Sequence, residues 1–172
     1  KPLSEHFNVI NVDLRNHGLS PHSDEMNYPA MAQDIVELLA HLNIDKAHLV
    51  GHSMGGKVAM ELALTHPELV NKLVVLDIAP VSYPARHTKI LQALKAVSTQ
   101  SIDDRKQADA IMQPYIEELG VRQFLLKSLA KNEEGHFVWR FNLNVLDEKY
   151  STITSNVNEN NSCLCDTLFI KG

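Results

Sequence analysis

Gly51-His52-Ser53-Met54-Gly55 sets a serine two residues after one glycine and two before another. That is the G-x-S-x-G spacing of a nucleophile held on a sharp turn. The two glycines, Gly51 and Gly55, are expected to let a strand and a helix approach closely, while strained backbone at Ser53 lifts its Oγ clear of the turn. If a helix begins at once, the Met54 N–H points at the space where an oxyanion would develop, and one such donor contributes about 3 kcal/mol to acyl transfer. The bland alternative is a glycine-rich turn with an incidental serine. A phosphate-cradling loop fits less well, since neither G-x-G-x-x-G nor the full P-loop pattern G-x-x-x-x-G-K-[ST] is present.

A serine hydroxyl is a weak nucleophile near neutral pH and needs a histidine base, itself oriented by a carboxylate. Asp77 is the candidate acid, at the end of the apolar run Leu73-Val74-Val75-Leu76. Residues at the C-terminal ends of parallel strands face the rim where such sites form. Its rival role is to cap the turn into Pro80. The base is harder to assign. Downstream of Asp77 stand only His87, on a predicted helix, and His136, in a Glu-Glu-Gly turn. His52 is bonded to Ser53 and cannot easily swing its ring to Oγ, and His17, His48 and His66 read as structural. None is a convincing base.

The elements that must position these groups are legible as alternation. Residues 8–13 alternate as a strand. Pro29 then opens a helix whose stripe is Met31, Ile35, Leu38, Leu39 and Leu42. A short strand at 47–50 meets the Ser53 turn, a helix carries Val58, Ala59, Leu62 and Ala63, and the run at 73–77 reads as a strand buried on both faces. Strand, helix, strand, helix, strand implies a parallel α/β sheet. From Val81 to about Tyr150 strands are not expected; 87–97, 103–118 and 121–131 read as helices, a block of the kind that forms a lid or cap. Residues 151–162 read as loop, and 167–170 return to strand.

Composition sets bounds. The chain has 172 residues, 44% of them hydrophobic, which suits one domain with a real core. Sixteen Lys and Arg against 21 Asp and Glu give a net charge of -5, which argues against nucleic-acid binding. No apolar run nears the roughly 20 residues of a membrane span. The opening residues lack the sections of a signal peptide, so a cytoplasmic setting is expected. Cys163 and Cys165 form a lone C-x-C with no histidine at zinc-ligand spacing and read as two reduced thiols. No metal or organic cofactor is implied.

At these residues the chain resembles the α/β-hydrolase superfamily. Asp13-Leu14-Arg15-Asn16-His17-Gly18-Leu19-Ser20 is similar to that family's D-x-R-G-H-G-x-S segment, with Asn16 where glycine is usual, and residues 51–56 are similar to its elbow. The resemblance narrows to the YbfF-type esterases through Leu49 to Lys57, Val75 to Val81, Gly120 to Ser128 and Trp139 to Asn142. It implies a doubly wound parallel sheet in a three-layer αβα core, formed here by 1–80 and 164–172. A helical cap at 81–163 would follow the sixth strand. It maps the nucleophile onto Ser53 and the acid onto Asp77. It also implies an H-G-x-x-G segment before Lys1 and a catalytic histidine beyond Gly172, so the chain is expected to be the middle of a longer hydrolase.

The resulting expectation is a serine hydrolase of carboxylic esters or acyl thioesters, with a small ester or acyl-CoA as substrate. Phe124, Leu125 and Trp139 of the cap are candidates for the acyl pocket, though each could equally be plain core. A C–C bond hydrolase or lyase with the same triad, and a catalytically silent ligand-binding fold, remain open.

Overall fold

The computed structural model describes residues 2–85 and 87–172. Asn27 caps α1 (Tyr28–His41) by accepting the Ala30 N–H at 2.8 Å, and Pro29 fits the first turn, where its missing N–H costs nothing. β1 (Ala47–His52) leads through Ser53 into α2 (Met54–Thr65), and β2 (Val70–Leu76) follows. β1 and β2 pair in parallel, with Leu49 opposite Leu73 and Gly51 opposite Val75. The chain then leaves for a helical block: α3 (Thr88–Ser98), α4 (Arg105–Met112), α5 (Leu119–Leu126), the hairpin β3 (Leu129–Lys131) and β4 (Phe137–Trp139), α6 (Leu143–Glu148) and α7 (Tyr150–Thr154). It returns as β5 (Asp166–Ile170), parallel to β2 on the side away from β1.

Two apolar clusters form. In the first, Met31, Ala32, Val58, Leu62 and Ala63 of α1 and α2 pack with Val70, Leu73 and Val75 of β2. The second belongs to the inserted block and gathers Ala93, Leu94, Val97, Ala108, Met112, Leu126 and Leu129. Arg122 ties that block together, bonding Asp109 at 3.0 Å and the carbonyls of Ile116 and Glu117 at 2.8 Å. The block's own cluster ends at Leu143; Val145 and Val157, inside the expected 81–163 cap, pack with the first cluster instead.

The structure departs from the sequence expectation in four places, the simplest being that 151–154 continue the helix α7 where a loop was expected. Among the described residues, 8–13 pair with no strand; they run beside β1 across a groove of about 380 Å³ lined by Ile10, Val12, Leu14, His48 and Val50. Alternation supplied a strand-like segment, but a strand is completed by a hydrogen-bonding neighbour, and the groove separates this segment from β1. The inserted block is not free of strands, because Gly135 at φ 85 turns the chain and lets 129–131 meet 137–139. α4 stops at Met112 rather than running to 118, since Pro114 lacks the N–H that a continuing helix requires. Among the described residues, no helix is long and apolar enough to cross a membrane.

Candidate active site

Ser53 stands between the last residue of β1 and the first of α2, exposed, with φ 52 and ψ -122. A side chain adopts that backbone region only at a cost, and here the surroundings hold it. Its N–H donates to the Leu76 carbonyl at 3.0 Å, and its own carbonyl accepts from Gly56 and Lys57 at the start of α2. The first N–H groups of a helix lack intrahelical partners, so Met54 opens α2 with a donor available to an oxyanion.

The glycines divide their work differently from expectation. A Cβ on Gly51 would overlap the Gly55 carbonyl, and one on Gly56 would come within 2.7 Å of Ile78 Cγ2. At Gly55 an added Cβ meets nothing within 4 Å. The close approach of α2 to the sheet therefore depends on Gly51 and Gly56, not on Gly51 and Gly55. The sheet meets α2 at its third residue, which a symmetric reading of the motif misses.

Asp77 follows β2 directly, exposed, and shares the left-handed backbone of Ser53 with φ 53. Its N–H donates to the Ile170 carbonyl at 2.8 Å, and its Oδ1 accepts the Gly172 N–H at 3.3 Å. The C-terminal ends of three adjacent parallel strands are thus stitched together: Ser53 to Leu76, Asp77 to Ile170, Gly172 back to Asp77. Nucleophile and acid candidates share one rim.

The histidines lie elsewhere. His17 Nδ1 sits 3.0 Å from the Arg15 carbonyl, His87 pairs with the Tyr150 hydroxyl at 2.9 Å, His136 with Glu134 at 3.5 Å, and His66 with Thr65 at 3.0 Å. Among the described residues, none is hydrogen-bonded to Ser53. The pocket candidates also scatter. Leu125 and Trp139 pack in the block's own cluster, where the Trp139 indole donates to the Leu94 carbonyl and stacks on Phe141 with centroids 5.4 Å apart. Phe124 is 62% exposed with the Lys127 ammonium 6.0 Å from its ring. The three do not converge on one cavity.

The Asp13–Ser20 segment proves to be scaffolding. Asn16 is fully buried at φ 65, a conformation that asparagine tolerates nearly as well as glycine. Its side chain bonds both the N–H and the carbonyl of Ser23 at 2.9 Å. Arg15 grips Asp34 of α1 through two 2.7 Å bonds, and that pairing raises the guanidinium's pKa further. Lys57, the fourth residue of α2, is a buried charge that the sequence pattern did not single out. Its signal was a charge set among the apolar Val58, Ala59 and Met60, and burial pushes its ammonium pKa down.

The strand–Ser53–helix turn sits within residues 1–109, which match the family described as alpha/beta hydrolase fold. The chain belongs to the alpha/beta hydrolase family. It is 49% identical over 154 residues to Esterase YbfF of Escherichia coli (strain K12), covering 89% of this chain and 59% of that protein. It is 42% identical over 170 residues to the sn-1-specific diacylglycerol lipase ABHD11 of Mus musculus, covering 95% of this chain and 55% of the lipase. Among solved structures, a marine microorganism esterase superposes with a TM-score of 0.93 at 36% identity, over 99% of this chain and 68% of that one. The chain thus spans little more than half the length of these curated relatives, and its resemblance to YbfF-type esterases extends through the inserted block.

Proposed function

We propose that Ser53 is the nucleophile of a serine hydrolase cleaving carboxylic esters or acyl thioesters. The observation that carries this reading is the joint geometry at the strand ends. A serine in strained backbone opens a helix and is hydrogen-bonded through its own N–H to the residue that precedes Asp77. Ser53 Oγ attacks the acyl carbon while a histidine takes its proton. The Met54 N–H holds the oxyanion, the leaving alcohol or thiol takes the proton from that histidine, and water then releases the acyl group by the reverse sequence. In this proposal Asp77 orients that histidine, a residue from outside these 172. The relatives' names, esterase and diacylglycerol lipase, share cleavage of an oxygen ester; acyl-CoA thioesters and a cytoplasmic setting belong to the same proposal.

A fluorophosphonate probe tests the nucleophile, because it phosphonylates only an activated serine. In the complete gene product, labelling at Ser53, lost in Ser53→Ala together with hydrolysis of p-nitrophenyl esters, is the expected result. No labelling of wild-type protein would favour a silent ligand-binding fold. Labelling without ester turnover would favour a lyase or C–C bond hydrolase that uses the same residues.

A further inference from the structure

Lys57 lies four residues beyond Ser53 on α2 and is only 1% exposed, yet the chemistry above does not use it. An ammonium stripped of water must find other partners, because an unpaired buried charge is strongly destabilising. The partners here are not carboxylates. Nζ donates to the Val81 carbonyl at 2.7 Å and to the Ser155 carbonyl, and it stands 5.0 Å from the Tyr83 ring centroid and 5.5 Å from that of Tyr28. The rings offer their negative faces to the same charge.

Val81 and Ser155 lie on different connections. Val81 is on the segment that leaves β2 for the helical block; Ser155 is on the segment that returns from it toward β5. Neighbouring bonds tighten the same crossing. The Tyr83 N–H donates to the Thr154 carbonyl at 2.9 Å, the Tyr28 hydroxyl donates to the Ile153 carbonyl, and the Tyr83 hydroxyl accepts from Ala79 N–H at 3.0 Å. Further along α2, Glu61 accepts the Asn158 N–H at 2.8 Å and the Leu64 carbonyl accepts from Asn161 at 2.9 Å. Those two hold the return segment alone. Lys57 reaches both.

We infer that Lys57 is a positioning residue that mounts the helical block on the helix carrying the nucleophile, and so fixes where that block stands relative to Ser53 for large acyl substrates. A body joined to a core by two linkers can swing about them as a hinge. One ammonium bonded to both linkers removes that freedom. Lysine suits the task because its donors fan from a single atom at the end of a slender stem, whereas an apolar side chain would fill the space and leave two carbonyls without a donor. The position on α2 matters as well. Four residues are about one helical turn, so mount and nucleophile ride on one rigid piece roughly 5–6 Å apart along the axis.

The substrate half of this inference rests on the hydrolase reading; the mechanical half does not, and the test separates them. In Lys57→Met, hydrogen exchange at the Tyr83 amide and through residues 152–158 should quicken about tenfold, while β2 amides keep their rates. In the complete gene product, KM for a long-chain acyl ester should rise about tenfold, with kcat on p-nitrophenyl acetate within about twofold of wild type. If Lys57→Met does not fold, Lys57→Gln, which keeps one donor group, carries the same measurements. Unchanged exchange in both linkers would overturn the mount, whatever the activity. Changed exchange with an unchanged KM in an active enzyme would overturn its role toward substrate. Changed exchange in a protein without turnover would uphold the mount and sink the hydrolase reading.

Discussion

At Ser53 stability and chemistry pull in opposite directions. Backbone at φ 52 and ψ -122 costs a residue with a Cβ about 1–3 kcal/mol, and a glycine avoids most of it while adding about 0.5–1 kcal/mol of unfolded-state entropy. Ser53→Gly should therefore raise stability by about 1 kcal/mol in denaturant melts while removing all fluorophosphonate labelling. Ser53→Ala keeps the Cβ and should gain none of that stability. Asp77→Asn keeps the shape that accepts the Gly172 N–H but loses the charge that would stabilise an imidazolium. Turnover in the complete gene product should fall about 10²- to 10⁴-fold with an unchanged melting temperature, and wild-type turnover would place the acid elsewhere. Serine was legible because its motif fixes residue types at fixed spacings. The matching positive φ at Asp77, and that at Asn16, were not legible, because a left-handed conformation in a non-glycine residue is imposed by neighbours distant in sequence.

Among elements, α2 shows where pattern reading works and where it stops. Its apolar stripe, and those of α1 and α3, are local periodicities, and each helix formed close to the expected span. The β3–β4 hairpin, α6 and α7 were not legible because their segments are three to six residues long, too short for a period to show. Contacts across elements are invisible to periodicity altogether, and the glycines of α2 make the point measurable. Gly56→Ala drives a Cβ to 2.7 Å from Ile78 Cγ2 and 3.1 Å from the Gly51 carbonyl, so it should cost about 1–3 kcal/mol as the helix backs away from the sheet. Gly55→Ala meets open space in the first turn of the same helix, and should be neutral or stabilise by up to about 1 kcal/mol. Thermal melts of the pair decide the matter, and equal losses at both sites would contradict the placement of α2 on the strand.

For the whole molecule, the decisive feature is the side of the sheet that α2 does not cover. The register sets Val50, Val74 and Leu168 in one row and His52, Leu76 and Ile170 in the next on the same face. Val50 is 59% exposed, Leu168 54% and Ile170 47%, and every residue of β5 is open to solvent. β1 and β5 are the outer strands of the three, and β1 faces the groove rather than a paired strand. An uncovered apolar face bounded by free strand edges is a template for association. The 172-residue chain on its own should therefore self-associate as its concentration rises, read by sedimentation, and should bind a hydrophobic dye in its folded state. Leu168→Lys with Ile170→Lys puts two charges on the edge strand without touching either apolar cluster. The double variant should sediment as a monomer with its helical content intact, because charges on an edge strand make both stacking and edge pairing costly. If the unaltered chain stays monomeric and dye-free at high concentration, then the face is covered in solution, and the exposure of β5 is not a property of the free molecule.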